Sequence, residues 1–299
     1  MPAGCVVTIG YTRWIVVPET RSQRYGGGQK FTEGGMNETG WVENTLKRRL
    51  AAGEPSIVLA LRMARTIDVV GMVAASGHDA FYVDMQHNSM SVDDVSALCT
   101  AGIYAGITPL VRVPGADEGL CARLLDGGAM GIIVPDVTSA AQAQAVSSWC
   151  RFPPFGVRSA GSPLALARHR SLSAAELAPI ANAETLVFAM LESQAGLDAA
   201  EAIAAVDGID ALFVGSNDLT AALGVPGEFA HPRMREAFAH AIAAASRHAK
   251  HLLVGGIADL EIFKTYVAMG AAPCQFAGTD SGLLAAAAAA RVAAFRATF

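Results

Sequence analysis

The sequence predicts a single (β/α)8 barrel, a fold in which eight parallel strands, each followed by a helix, close into a ring. From Ser56 onward, short apolar runs alternate with longer amphipathic segments, and eight such runs can be counted. The runs are apolar at successive positions, as in strands that are buried on both faces, which favours a closed parallel barrel over an open sheet. No Gly-x-Gly-x-x-Gly turn follows the first run, so nothing indicates a dinucleotide-binding fold.

The individual elements follow from this alternation. The predicted strands are Ile57–Arg62, Ala80–Asp84, Thr108–Val113, Gly131–Pro135, Leu186–Glu192, Ala211–Gly215, Leu252–Ile257 and Pro273–Gly278. The helical patterns between them include Val92–Ala105, Ala140–Cys150, Leu197–Val206, Pro232–Lys250 and Leu260–Met269. A long connection from Arg151 to Ser171 interrupts the alternation. Because long loops inside compact domains are usually functional, we expect it to reach over the barrel mouth.

The first 35 residues lack this pattern. They contain several arginines and the run Gly26-Gly27-Gly28, with neither helical nor strand periodicity and no clear signal peptide. We interpret residues 1–35 as a disordered or non-native extension. Residues 36–299, beginning at Met36, are then one catalytic barrel domain.

Composition and charge exclude several classes of partner. The net charge of −5 argues against nucleic acid and anionic membranes, since both require a basic face. The five cysteines are odd in number and form no Cys-x-x-Cys pair, which is typical of reduced thiols in the cytoplasm. No apolar run approaches the roughly 20 residues that cross a bilayer. We therefore expect a cytoplasmic protein with a small-molecule substrate and no nucleic-acid or membrane partner.

Ionisable residues cluster where barrels of this type carry their chemistry, at the carboxyl ends of the strands. Five of the eight predicted strands end near such residues, which are Asp84, His87, Arg112, Glu192, Asp218 and Asp280. Singly, each has a structural alternative: Asp218 as a helix cap, Arg112 as an ion-pair partner, Glu192 as a solvated side chain. Together they predict a site, because the strand residues between them are almost all apolar.

The residue types narrow the chemistry of this site. Two carboxylates without cysteine nearby form a hard oxygen ligand set, suited to Mg²⁺ or Mn²⁺ more than to zinc or copper. Arg112 offers a fixed positive fork to an oxygen that gains negative charge. Asp84 lies three positions before His87, so we expect it to orient the imidazole as a general base. The backbone N–H groups of Asn217 and Asp218 open a helix and suit a substrate carboxylate.

The lysines argue against the other common route to carbon–carbon cleavage. An imine mechanism needs a lysine inside the barrel, but this chain has only Lys30, Lys47, Lys250 and Lys264, none at the carboxyl end of a predicted strand. A metal ion is therefore expected to supply the electrophile.

The ordered motifs, from about Trp41 to the C-terminus, resemble a known family. They are Asp84-x-x-His87, Val111-Arg112-Val113-Pro114, Gly131–Pro135, Arg151-Phe152-Pro153-Pro154-x-Gly156-x-Arg158, Leu191-Glu192-Ser193, Gly215-Ser216-Asn217-Asp218-Leu219-Thr220 and His231-Pro232. In this order and spacing they resemble the HpcH/HpaI aldolases, the class II pyruvate aldolases related to the citrate lyase β subunit.

The resemblance implies a divalent-metal-dependent lyase that cleaves a 4-hydroxy-2-oxo acid, such as 4-hydroxy-2-oxoheptanedioate in aromatic compound catabolism, to pyruvate and an aldehyde through a metal-stabilised enolate. It implies Glu192 and Asp218 as ligands of Mg²⁺ or Mn²⁺, with Co²⁺ also possible. Arg112 would stabilise the enolate, and His87, supported by Asp84, would transfer the hydroxyl proton. Gly215, Ser216 and Asn217, with Arg112, would contact the substrate.

The resemblance also implies a homo-hexamer, a trimer of dimers that exchange the last helix, here roughly residues 281–297. The chain departs from the family pattern at Gln86 and Asn88, which flank His87, at Met190, and at Ser159, so the acceptor is not determined.

The sequence is compatible with three functions. Besides the aldolase, the same barrel suits another metal-enolate lyase, either an oxaloacetate decarboxylase of the macrophomate-synthase type or a CoA-ester lyase. For the phosphates of CoA the long loop offers only Arg158, Arg168, His169 and Arg170. A catalytically silent barrel that binds a small acid is the third reading, which the complete set of Glu192, Asp218, Arg112 and His87 disfavours.

Overall fold

Eight parallel strands close into a barrel in a computed structural model that describes residues 41–161 and 164–299. Each strand pairs with its neighbour in the sequence, and the ring closes where β1 pairs with β8, Ser56 opposite Cys274. The predicted barrel is therefore confirmed. The interpretation of residues 1–35, and the start of the domain at Met36, lie outside the described residues.

The strands are β1 (Ser56–Leu61), β2 (Ala80–Asp84), β3 (Thr108–Arg112), β4 (Gly131–Val134), β5 (Leu186–Leu191), β6 (Ala211–Gly215), β7 (His251–Gly255) and β8 (Cys274–Thr279). The helices are α1 (Thr45–Ala51), α2 (Asp68–Ala75), α3 (Val92–Ala105), α4 (Glu118–Asp126), α5 (Ala140–Trp149), α6 (Ala174–Glu184), α7 (Gln194–Asp198), α8 (Ala200–Ala204), α9 (Ser216–Ala222), α10 (Pro232–Arg247), α11 (Leu260–Ala268) and α12 (Asp280–Thr298). The single helix expected over Leu197–Val206 is instead the pair α7 and α8, which are separated at Ala199.

Apolar side chains fill the barrel from its amino end upward. Leu46 and Leu50 of α1 are buried against the inward-facing strand residues and close that end. Above them lies an aromatic layer of Tyr82, Phe188, Phe213 and Phe276, in which the rings of Phe213 and Phe276 have centroids 4.7 Å apart. The interior is thus a packed core, and polar chemistry is confined to the carboxyl ends of the strands.

The described residues of the long connection after α5 pack at the amino end of the barrel and do not cover its mouth, so that prediction is wrong for them. Its short 3₁₀ helix, Ala165–Ala167, packs in a buried cluster with Ile103, Met130 and Phe152. The Val42 N–H also donates to the Leu166 carbonyl at 3.2 Å. The physical reason is directional: α5 runs back to the amino ends of the strands, and the loop that follows it packs at that end.

The last helix, α12, extends from the barrel with no buried residue along its length. Its apolar side chains are exposed, and they include Leu283, Leu284, Val292 and Phe295. Among the helices of the described residues, α12 included, none is long and apolar enough to cross a membrane.

Candidate active site

Arg112 and Asp84 form the most buried ion pair at the carboxyl end of the barrel. The β2–β3 register places them opposite each other. Arg112 Nε donates to Asp84 Oδ1 at 2.9 Å, and Arg112 Nη2 donates to Asp84 Oδ2 at 2.6 Å. Burial alone would raise the pKa of Asp84, but the hydrogen bonds and charges of Arg112 and Arg62 hold it below its usual value. The carboxylate is therefore ionised, and it fixes the guanidinium plane.

A second arginine, Arg62, binds the same carboxylate. It directly follows β1, and its Nε donates to Asp84 Oδ2 at 2.7 Å. Burial raises the pKa of the Tyr82 hydroxyl, and the nearby charges of Arg112 and Arg62 oppose that shift. Arg62 ends the first strand predicted from the sequence, but it is not among the predicted site residues. Its position, one of the ionisable strand ends, was the signal that could have found it.

Asp84 does not support His87 in this structure, which corrects the expectation drawn from their spacing. Both Asp84 oxygens accept hydrogen bonds from arginines, and Oδ1 also accepts from the Gln86 N–H at 3.1 Å. His87 lies exposed in the loop after β2, and no hydrogen bond joins it to Asp84 within the described chain. The paired register of Asp84 and Arg112 is the physical reason, because it offers the carboxylate a closer cationic partner.

Two side chains beside His87 carry buried polar atoms, Gln86 Oε1 and Asn88 Nδ2, without a hydrogen-bond partner among residues 41–161 and 164–299. Buried polar atoms of this kind are usually satisfied by water or a ligand.

Glu192 presents a buried carboxylate to the same end of the barrel. It directly follows β5, and its Oε2 has no hydrogen-bond partner in the described part of the chain. Burial, then the negative charge of Asp218, raises the pKa of Glu192 to about 7, although Arg112 opposes the shift. The effects of Asp218 and Arg112 on this pKa show that the three side chains share one electrostatic environment.

Gly215 makes room for the Glu192 carboxylate. A Cβ atom at position 215 would lie 2.6 Å from Glu192 Oε2 and 3.2 Å from Met190 Sδ, so a larger residue would force the carboxylate to move. Met190, one of the departures from the family pattern, also faces Arg112, with Arg112 Nη1 4.0 Å from its sulfur.

Ser216, Asn217 and Asp218 form the first turn of α9, which begins at the end of β6. Gly215 occupies the cap position without a side-chain hydrogen bond, and Asp218 lies exposed in the first turn, so Asp218 does not cap this helix. Asn217 is also exposed, whereas Ser216 Oγ is buried with no partner among the described residues.

Asp136, at the end of β4, lies at the site but is not among the residues predicted from the sequence. Its charge raises the pKa of Glu192 and its backbone N–H lowers it, so Asp136 lies beside that carboxylate. Its φ of 44° is in the left-handed region, which Asp tolerates better than most residues. Ser193 Oγ donates to Asp136 Oδ1 at 2.9 Å and holds the turn in place.

Asp280, the ionisable residue at the end of β8, has a structural role. Its carboxylate accepts the N–H groups of Arg62, Met63 and Ala64 at 2.7–2.9 Å. Asp280 therefore holds the loop after β1 and, through it, the backbone of Arg62.

The acidic residues fit a hard divalent cation that keeps open coordination positions. In the described ranges there is no group of three or more His, Cys, Asp and Glu side chains that could enclose a metal. The buried, unpartnered Glu192 Oε2 and the nearby Asp218 instead make a two-carboxylate set. Such a set suits Mg²⁺ or Mn²⁺, which retain several sites for water and substrate oxygens.

Comparison with known proteins identifies the family to which this barrel belongs. The model of the HpcH/HpaI aldolase/citrate lyase family matches residues 63–287, which include every site residue described above except Arg62. The chain belongs to this family. It is therefore an enzyme, a carbon–carbon lyase of the aldolase type.

Individual proteins similar to this chain are also named as aldolases. The chain is 37% identical to a 4-hydroxy-4-methyl-2-oxoglutarate aldolase of Chaetomium globosum over 216 residues, which cover 72% of this chain and 80% of the relative. It is 35% identical to a hydroxypyruvate/pyruvate aldolase of Pseudomonas aeruginosa, with 81% and 88% covered. The crystal structure of an HpcH/HpaI aldolase from Desulfitobacterium hafniense superposes with a TM-score of 0.79 at 29% identity, covering 84% of this chain and 96% of the other.

Proposed function

We propose that the enzyme cleaves a 4-hydroxy-2-oxo acid to pyruvate and an aldehyde or oxo acid, with a divalent cation held by Glu192 and Asp218. The observation that carries this proposal is the Glu192 carboxylate, which is buried, unpartnered at Oε2 among the described residues, and influenced by both Asp218 and Arg112. Relatives named for 4-hydroxy-4-methyl-2-oxoglutarate and for hydroxypyruvate and pyruvate support a substrate of this class.

Mg²⁺, Mn²⁺ or Co²⁺ bound by these two carboxylates would polarise the 2-oxo group and stabilise negative charge on its oxygen. The raised pKa of Glu192 is the expected property of a carboxylate whose charge is balanced only when a cation is bound. In this proposal Ser216 Oγ, which is buried and unpartnered among the described residues, contacts the substrate carboxylate together with the N–H groups of Asn217 and Asp218.

Arg112 stabilises the product side of the cleavage. When the bond between carbons 3 and 4 breaks, its electron pair passes into the pyruvate half, which becomes an enolate with negative charge on the oxygen of carbon 2. The guanidinium of Arg112 is held by Asp84 before substrate binds, so no reorganisation is needed at the moment when the charge develops.

His87 is the proposed proton acceptor for the hydroxyl on carbon 4, which becomes a carbonyl as the bond breaks. Its exposed position after β2 lies in the same group of loops as the carboxylates, at the carboxyl ends of the strands. Because Asp84 is engaged by arginines, the imidazole acts without a carboxylate partner from the described residues.

Release of pyruvate from 4-hydroxy-2-oxo acids tests this function. The purified chain is treated with EDTA and then supplied with Mg²⁺, Mn²⁺ or Co²⁺, and pyruvate is measured by NMR. We expect EDTA to abolish cleavage, a metal to restore it, and Glu192→Gln to prevent the restoration. Cleavage that survives both the chelator and the substitution would refute the metal-dependent mechanism. Oxaloacetate is assayed in parallel, because faster decarboxylation than aldol cleavage would favour an oxaloacetate decarboxylase of the macrophomate-synthase type.

We further propose that the chain forms a homo-hexamer, a trimer of dimers, in which α12 packs on a neighbouring copy. The support for this is that α12 buries no residue within its own chain while exposing Leu283, Leu284, Val292 and Phe295. Light scattering should give the mass of six chains, and the paired substitution Val292→Glu with Phe295→Glu should reduce it. A wild-type chain that is monomeric at micromolar concentration would contradict the proposal.

We place the enzyme in the cytoplasm. The support for this is that Cys99, Cys121, Cys150 and Cys274 are all free and buried, as in proteins of reducing compartments.

A further inference from the structure

Arg62 brings a positive charge to the barrel mouth that the proposed cleavage does not use. A guanidinium carries five N–H donors, and Arg62 directs its Nε–H to Asp84. Its side chain keeps 36% of its surface exposed, whereas that of Arg112 keeps 8%. The fork of Arg62 is therefore fixed at one side and open at the other.

Arg62 also lies across the ring of strands from the proposed metal ligands. In a closed ring of eight strands, β1 stands opposite β5 and next to neither β5 nor β6. Arg62 follows β1, whereas Glu192 and Asp218 follow β5 and β6. A substrate held by its 2-oxo acid end at Glu192 and Asp218, and extended past Arg112, has its other end directed towards Arg62.

The net charge around Arg62 also favours an anionic group at the far end of the substrate. Asp84 neutralises one arginine, but two arginines bind it, so the group of Arg62, Arg112 and Asp84 carries one net positive charge. The 2-oxo acid carboxylate is already assigned to the metal and to α9. An excess cation that is partly desolvated is best matched by a second anionic group on the ligand.

We propose that Arg62 binds a second carboxylate of the substrate, on the side of the cleaved bond away from pyruvate, so that the preferred substrates are dicarboxylic 4-hydroxy-2-oxo acids. This inference rests on the proposed aldolase function. It assigns Arg62 the role of a specificity-determining residue and leaves bond cleavage to the groups described above.

The test compares two substrates that share one carbon skeleton. 4-Hydroxy-2-oxoglutarate carries a carboxylate at carbon 5, and 4,5-dihydroxy-2-oxopentanoate carries a hydroxymethyl group there. Both release pyruvate, which is quantified by NMR for the wild type, Arg62→Gln and Arg62→Lys. Arg65→Gln is the control, because Arg65 is an exposed arginine of the same loop that binds Met63 and Ser89.

We expect Arg62→Gln to lower kcat/KM for the dicarboxylate about 10- to 100-fold, mainly through KM, because it removes a charge-assisted hydrogen bond. The hydroxymethyl substrate should change by less than about threefold. Arg62→Lys should give an intermediate loss, since it keeps the charge without the fork. The Arg65→Gln control should leave both substrates unchanged.

Equal losses on both substrates would overturn the inference, because they would show that Arg62 only positions Arg112 through Asp84. Wild-type kcat/KM values for both substrates in Arg62→Gln would overturn it as well. Both outcomes leave the aldolase function intact. A wild type that cleaves neither substrate, nor any other 4-hydroxy-2-oxo acid, would instead refute the proposed function itself.

Discussion

Arg112 and Asp84 face each other across the β2–β3 register and are joined by two hydrogen bonds of 2.9 and 2.6 Å. The strand register brings the two side chains together, so the fold itself positions the arginine that we propose to act in catalysis. Burial makes the pair depend on both partners, since an ion that loses its partner in a buried place keeps the cost of desolvation. The pair is thus a positioning device for the proposed enolate-binding arginine.

Asp84→Asn should therefore damage stability and catalysis together. Removing the carboxylate charge leaves Arg112 buried without its anion, which costs about 3–5 kcal/mol of unfolding free energy. We also expect kcat to fall at least about tenfold, because a transition-state interaction worth 1.4 kcal/mol or more is lost. Urea denaturation and steady-state kinetics measure the two effects. Glu261→Gln is the control, since it breaks an exposed pair with Lys264 and should cost less than about 1 kcal/mol. Wild-type kcat in Asp84→Asn would show that Asp84 does not position Arg112.

Arg112→Lys should be nearly as harmful to catalysis as loss of the side chain. An ammonium group cannot make the two parallel hydrogen bonds that Arg112 makes with Asp84 while presenting a further donor to the substrate. We expect kcat/KM to drop about 100-fold or more, by analogy with the removal of other oxyanion-stabilising donors. Rates close to those of the wild type would remove Arg112 from catalysis.

His87→Ala separates the two proton transfers of the reaction. Aldol cleavage needs a base for the hydroxyl proton, whereas exchange of the pyruvate methyl protons with solvent needs only enolate formation. We expect cleavage to fall about 100-fold or more while exchange, followed by NMR in deuterium oxide, falls much less. A similar loss in both reactions would show that His87 has been assigned the wrong proton.

Glu192 should make the metal-free enzyme less stable as the pH rises. Its folded-state pKa is raised from 4.5 to about 7, so the stability associated with its neutral form is present below pH 4.5 and is lost as the pH rises through 7. Glu192→Gln, which is neutral at every pH, should unfold at higher urea concentration than the wild type at pH 8 in EDTA. The difference should be on the order of 3 kcal/mol at pH 8 and small at pH 5. A constant difference between the two pH values would mean that Glu192 titrates normally.

Much of the fold was predictable from the sequence, because burial on both faces gives parallel strands an uninterrupted apolar run. For that reason the predicted strand bounds differ from those observed by no more than two residues, as at β7. The division of α7 from α8 at Ala199 was not predictable, because the Ala-rich segment has a similar apolar pattern in either arrangement.

The site was predicted as a group of residues more reliably than as a set of contacts. Arg112, Glu192 and Asp218 lie in one environment, as expected from strand ends that meet at one rim. Asp84 binds two arginines instead of His87. The spacing of residues in the sequence could not predict this, because it does not show which residues face each other on neighbouring strands. Asp280 binds backbone N–H groups of the loop after β1, whereas Arg62 and Asp136 lie at the site. These roles could not be predicted, because a strand end alone does not reveal which way a side chain turns.

We propose above that Glu192 and Asp218 together hold one divalent cation. Titration of the metal-free chain with Mn²⁺, monitored by electron paramagnetic resonance, measures this without relying on turnover. We expect the wild type to bind one Mn²⁺ per chain. The affinity should fall at least about tenfold in both Glu192→Gln and Asp218→Asn, and it should be unchanged in the control Asp259→Asn at the start of α11. Mn²⁺ binding of wild-type affinity in either of the first two variants would contradict this proposal.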